Sequence, residues 1–348
     1  MHQYNDIAIP IAWPDQTARG DELWMAILKK LGVVKNLNFK VGHAAIVLIE
    51  RKTGNLRYFD FGRYISPRGF GRARSSMFDP RLELETKAKF NEDNSLQNFE
   101  EILKELQIKE FATHGGGRLL CSICRGISFY KAVEFAEEIV EKGPILYGAL
   151  APNNNSCSRY VAQILVNSLQ KSDKRINKIL FPESLKASPT SNVVNANEEN
   201  EVYCFKDSKL EKWKMGRWDS LKFQINLLHP NFFKSKSHQL PDDLFLGFID
   251  EPNRPKNLPE NAQWLGGLGE GCWFSIDCFN EEAEITRYNH QGEIDYSVIS
   301  YSDESFNKLN DFKFSYQVHQ NQHVVKQNNK EIIFKTLNIN NLNYKKSI

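Results

Sequence analysis

The sequence contains a nucleophile and a base, far apart along the chain. Cys157 stands in Asn153-Asn154-Asn155-Ser156-Cys157-Ser158-Arg159-Tyr160-Val161. Asn and Ser ahead of an apolar run accept hydrogen bonds from the unpaired N–H groups of a helix start. Val161, Ile164, Leu165 and Leu169 then recur on one helical face. This puts Cys157 in the first helical turn, where the dipole favours a thiolate over a thiol. A thiolate nucleophile works with a nearby base. The base expected here is His43, at the entrance of the apolar segment Val41-Gly42-His43-Ala44-Ala45-Ile46-Val47-Leu48-Ile49. A packing cysteine gives the same local pattern, so the expectation rests on the pair.

A third polar group orients the histidine in sites of this kind. Asp60 has the right chemistry, because a carboxylate also stabilises an imidazolium. A hairpin turning near Thr53–Asn55 sets Tyr64 or Ser66 opposite His43 and leaves Asp60 further along the same face. Both Asp60 and Tyr64 therefore remain in play, and an Asp60 that merely satisfies an arginine is the structural alternative. After the hairpin come Arg63, Arg68, Arg72 and Arg74, with Arg81 just beyond. Rimming the same pocket, Arg63 and Arg72 would grip a carboxylate or phosphate, with Tyr64 beside them; otherwise the segment is a solvated loop. Cys121 and Cys124 have no second pair at ligand spacing and fall in an apolar run, so they read as two buried thiols and no metal is expected. Gly266-Gly267-Leu268-Gly269-Glu270-Gly271 precedes an aromatic strand and does not join a strand to a helix, which reads as turn chemistry and not a dinucleotide loop. No cofactor is implied.

These side chains have to be positioned by a mixed set of elements. Periodicity predicts strands near 7–13, 41–50, 56–62, 81–90 and 118–124, and helices near 21–31, 96–106 and 128–142. Residues 171–201 lose periodicity, and 186–201 reads as a linker or mobile loop. Residues 202–348 are rich in aromatics and glycine turns, which predicts a small β-rich domain without a helix. Trp213, Trp218, Trp264 and Trp273 are assigned to core.

With 348 residues, two domains are expected. An apolar content of 41% and an aromatic content of 12% exclude a disordered chain. A net charge of +2 gives no reason to expect a nucleic-acid partner. No apolar run is long enough to span a bilayer, no leader pattern opens the sequence, and six sparse cysteines suggest no disulfide framework. A cytoplasmic location is the resulting expectation.

Gly42-His43-Ala44-Ala45-Ile46 followed much later by Asn155-Ser156-Cys157-Ser158-Arg159-Tyr160-Val161 resembles the circularly permuted branch of the NlpC/P60 (papain-like) superfamily, which includes the lecithin:retinol acyltransferase group. In that branch the histidine precedes the cysteine helix. Tyr58-Phe59-Asp60-Phe61-Gly62-Arg63-Tyr64 and Gly71-Arg72-Ala73-Arg74 also resemble an uncharacterised bacterial family. The resemblance implies an α+β protein with a permuted papain-like domain at 1–185 and the β-rich domain after the linker. It implies a cysteine hydrolase or acyltransferase acting on a small peptide, such as a cell-wall fragment, or on an acylated substrate. A binding or scaffold protein that keeps the fold without turnover is the rival reading.

Overall fold

The computed structural model describes residues 3–337 except 22, 149–152 and 280–281. Helices and strands are mixed, and the chain divides into two compact units that it enters more than once. The first comprises Met1–Phe61, Leu82–Glu138 and Gly148–Phe245; the second comprises Gly62–Arg81, Ile139–Tyr147 and Leu246–Ile348.

In the first unit a sheet runs in the order Lys209–Lys214, Glu201–Lys206, Leu119–Cys121, Asp6–Trp13, His43–Ile49, Leu56–Gly62, and Cys124–Ile127 also pairs with Asp6–Trp13. Its central strands are covered on both faces. Ile7, Ile9, Ile11 and Val47 pack with Ile102, Leu103 and Leu106 of the helix Phe99–Ile108. The helices Cys157–Ser168 and Pro189–Asn195 also pack on these strands. Burial on both faces explains why His43–Ile49 reads as a continuous apolar run without alternation. The expected strand at 118–124 is two strands broken at Ser122-Ile123, and 81–90 is a short 3-10 turn at Pro80–Leu82 followed by irregular chain.

The expected linker at 186–201 is an ordered part of the first unit. Ser188 caps Pro189–Asn195 reciprocally with Ser191, and every residue of that helix is buried. Its polar residues have partners: Asn192 donates to the Ser158 carbonyl at 2.7 Å, and the Val193 carbonyl accepts from Ser122 at 2.6 Å. Polar composition masked the helix, although Ser-Pro is a start signal and Val193-Val194 a core patch. Residues 201–214 extend the first sheet, with Tyr203 opposite Cys121 and Phe205 opposite Leu119. A helix, Arg217–Phe232, follows where none was expected, because its apolar residues are spread around the circumference and form no single stripe.

The second unit contains an antiparallel sheet in the order Gln263–Leu265, Cys272–Phe279, Glu282–Tyr288, Ile294–Tyr301, Lys330–Thr336, Gln322–Gln327, Lys313–His319. The side chain of Gln263, on one edge strand, donates to the Phe312 carbonyl at 2.9 Å and accepts from Phe314 N–H at 2.9 Å, so the sheet nearly closes into a barrel. The Gly-rich stretch serves close backbone approach: a Cβ on Gly266 would lie 2.1 Å from the Ile249 carbonyl oxygen. Trp264 packs against the fully buried Trp273, whereas Trp218, in the first unit, is 75% exposed and not core.

Candidate active site

Ser156 caps the cysteine helix: its hydroxyl accepts from Arg159 N–H at 3.3 Å, and its backbone is extended. Asn155 holds the approach, accepting Ser156 N–H on its side chain at 3.0 Å and donating to Gln163 at 2.9 Å. Cys157 is therefore the first helical residue, half-buried and reachable from solvent. Below it the helix is anchored by Tyr160, which is fully buried and donates to the Ala136 carbonyl at 2.8 Å.

His43 opens its strand because Gly42 lets the chain turn into it. Gly42 has φ +76, its N–H meets the Gln16 carbonyl at 3.0 Å, and a Cβ there would lie 3.0 Å from the Trp13 carbonyl oxygen. The ring stacks on Trp13, with centroids 5.8 Å apart and planes 12° from parallel.

The hairpin turns earlier than the sequence suggested. Ile49 pairs with Leu56 and Ala45 with Asp60, which centres the turn between Lys52 and Thr53. Asp60 is therefore one diagonal step from His43, a spacing within reach of long side chains. The buried Oδ2 of Asp60 is 3.3 Å from His43 Nε2 and accepts from Tyr58 Oη at 2.9 Å. Tyr58 lies two residues before Asp60 on the same strand face, and the sequence reading missed it although period-2 alternation puts the two together.

Cys157 also acts on the His43 ring, through side-chain hydrogen bonding and charge. Burial of the ring opposes its charged form, but hydrogen bonds and charge from Asp60 and Cys157 outweigh burial and push the imidazole up from 6.5 to about 9. Burial alone would raise the Cys157 thiol. The hydrogen bond and charge of His43, the Ser158 hydroxyl and the Ala44 backbone N–H overcome it and hold the thiol below its ordinary value. Beside Asp60, the charged forms of His43 and Cys157 are thus both favoured over their ordinary balance.

The arginine segment falls in the second unit, where Arg68 is exposed, Arg63 half-buried and Arg72 and Arg74 buried. Arg72 is fully buried, donates to the carbonyls of Ile65 at 3.1 Å and Tyr316 at 2.6 Å, and lies over Phe78. Without a carboxylate partner, its guanidinium is pulled down to about 9 by burial and by Arg287. Tyr64 lies under Arg74 at 3.8 Å, and Arg63 is over Tyr147 at 4.9 Å. Arg287, also fully buried, meets Asp79 at 3.1 Å, Asp295 at 3.0 Å and Glu270 at 3.2 Å. Cys121 and Cys124 are fully buried, and burial pushes the Cys124 thiol up to about 11. Among the described residues no group of His, Cys, Asp and Glu could hold a metal ion, and no helix is long and apolar enough to cross a membrane.

The sequence profile of a family described as type VI secretion system effector TseH-like matches residues 8–174, a span that contains His43, Asp60 and Cys157. A second profile, the DUF6695 C-terminal domain, matches residues 262–337. The crystal structure of the type VI secretion system effector TseH superposes on 60% of this chain and 98% of that one, with 16% identity and a TM-score of 0.40. No curated protein matches the chain.

Proposed function

We propose that this protein is a cysteine-dependent hydrolase or acyltransferase for an amide or ester, acting through Cys157, His43 and Asp60. The observation that carries the proposal is the run from the first-turn thiol through the imidazole to a buried carboxylate held by Tyr58. The Cys157 thiolate attacks the substrate carbonyl, and N–H groups of the first helical turn steady the oxyanion. The His43 imidazolium gives its proton to the leaving amine or alcohol as the carbonyl re-forms, leaving an acyl-cysteine. His43 then takes a proton from water or an acceptor alcohol, which attacks the acyl-cysteine and releases the thiolate.

The permuted papain-like arrangement suggested by Gly42-His43 and Asn155-Ser156-Cys157 is in keeping with this chemistry, as is the TseH-like profile over the same residues. A cell-wall peptide fragment is the substrate class that resemblance favours, and delivery as a secretion-system effector is the role the profile's description favours. Mass spectrometry of digests of purified cell-wall fragments and of acyl esters tests the proposal. Cleavage or transfer by the wild type that is absent in Cys157→Ala is the expected result. Equal product with Cys157→Ala, or none from the wild type with an unreactive Cys157, refutes it.

A further inference from the structure

In the first unit, exposed apolar side chains are gathered by a buried polar scaffold. Trp24, Ile27 and Leu31 follow one another at helical spacing on the outer side of Leu23–Lys30 and its end, and Leu31 is 71% exposed. Met25 and Leu28 of the same helix turn inward to Val34, Leu37, Phe39 and Leu228. Phe233 extends the display at the end of the helix Arg217–Phe232, and Leu244 (79% exposed) and Phe245 add to it.

Buried hydrogen bonds hold the three segments together. Asn231 donates to the carbonyls of Asn36 at 3.0 Å and Asn38 at 2.9 Å. Asn36 and Asn38 donate to the carbonyls of Pro241 at 2.9 Å and Asp242 at 2.8 Å. Asp243 accepts Leu37 N–H at 2.6 Å and pairs with Lys29. Satisfied buried polar networks fix one geometry, and this one fixes large apolar groups facing water, a mark of an interaction surface. Exposed lysines adjoin them: Lys30 in the first helix, and Lys234 and Lys236 just past Phe233.

We infer that this face docks onto an anionic lipid surface. Apolar side chains including a tryptophan, bordered by lysines whose long stems reach outward, match a bilayer boundary, where acyl chains receive the apolar groups and phosphates the ammoniums. The contact is peripheral and does not depend on turnover at Cys157.

Flotation of the full chain with vesicles of phosphatidylcholine and phosphatidylglycerol, and with vesicles of phosphatidylcholine alone, tests it. The protein is expected to float with the anionic vesicles at low salt and to detach at high salt. Ile27→Asp with Leu31→Asp is expected to weaken partitioning by about thirtyfold, and Lys234→Gln with Lys236→Gln by roughly tenfold. Both pairs are at exposed positions, and circular dichroism together with the Cys157 alkylation rate checks that the fold is intact. No flotation, equal partitioning into neutral vesicles, or unchanged partitioning of the folded Ile27→Asp/Leu31→Asp variant overturns the inference. So does a dimer, or a complex with an acidic protein, that this variant dissolves while the wild type ignores vesicles.

Discussion

Replacing Asp60 with Asn tests the hydrogen-bonded chain most directly, because the shape and an acceptor oxygen stay while the charge goes. His43 is held at about 9 against an ordinary 6.5, which corresponds to about 3 kcal/mol in favour of the imidazolium. Asp60 heads the contributions that raise it, ahead of Cys157. Assigning it about half gives ~1.5 kcal/mol, roughly a tenfold change in the thiolate–imidazolium population. The assay is the rate of iodoacetamide alkylation at Cys157 against pH, followed by mass spectrometry of its peptide. Wild-type Cys157 is expected to react well below the pH at which an ordinary thiol titrates. In Asp60→Asn the acidic limb moves to higher pH, with a rate about tenfold lower near pH ~6 and the two curves converging in alkali once both thiols are ionised. Superimposed profiles would remove Asp60 from the chain, and a wild-type curve like that of a free thiol would remove His43 as well.

The same pair sets a pH signature on stability. His43, raised in the folded state, contributes fully below 6.5 and loses its contribution as pH rises to about 9. Cys157, lowered, contributes fully above 9.0 and loses it as pH falls. Between 6.5 and 9 the two changes oppose each other, Cys157 gaining its contribution as His43 loses its own. The stability difference between wild type and His43→Asn, from urea midpoints, is therefore expected to change less across that window than loss of the His43 contribution alone would give; a fall of that full size, with no offset from Cys157, contradicts the ion pair. In the second unit, Arg287→Ala leaves the carboxylates of Asp79, Asp295 and Glu270 crowded around Arg81, with which each of them also pairs. A loss of about 3–5 kcal/mol is expected from thermal or urea unfolding, and a loss under about 1 kcal/mol would mean water or Arg81 takes over the role.

Local chemistry was enough to place Cys157 and His43 on their elements. The Asn-Ser cap fixes the helix start, and with it the place of Cys157 in the first turn, because capping uses only neighbouring atoms. The apolar run after Gly42-His43 fixes a buried strand for the same reason: burial on both faces leaves no polar position to misread. Asp60 was preferred to Tyr64 on its chemistry alone, since a shift in the turn centre changes which residue faces His43, and the ladder that sets it is a property of two strands. Tyr58 follows once that register is known.

The sequence by itself determined the elements that carry Cys157 and His43, the mixed class of the fold, and the β-rich character of the C-terminal part. The tertiary structure decided what the polar residues were for. Arg72 and Arg74, which read as part of a solvent or ligand surface, are fully buried in the second unit, Arg72 on carbonyls and over an aromatic ring. The polar run around Ser188–Asn195 is a buried helix whose side chains find partners on distant segments. Whether a charged or amide side chain faces water or the core depends on the partners that other parts of the chain bring to it. The cost of burying it is met or not by groups tens to hundreds of residues away, and that information is absent from any local stretch of sequence.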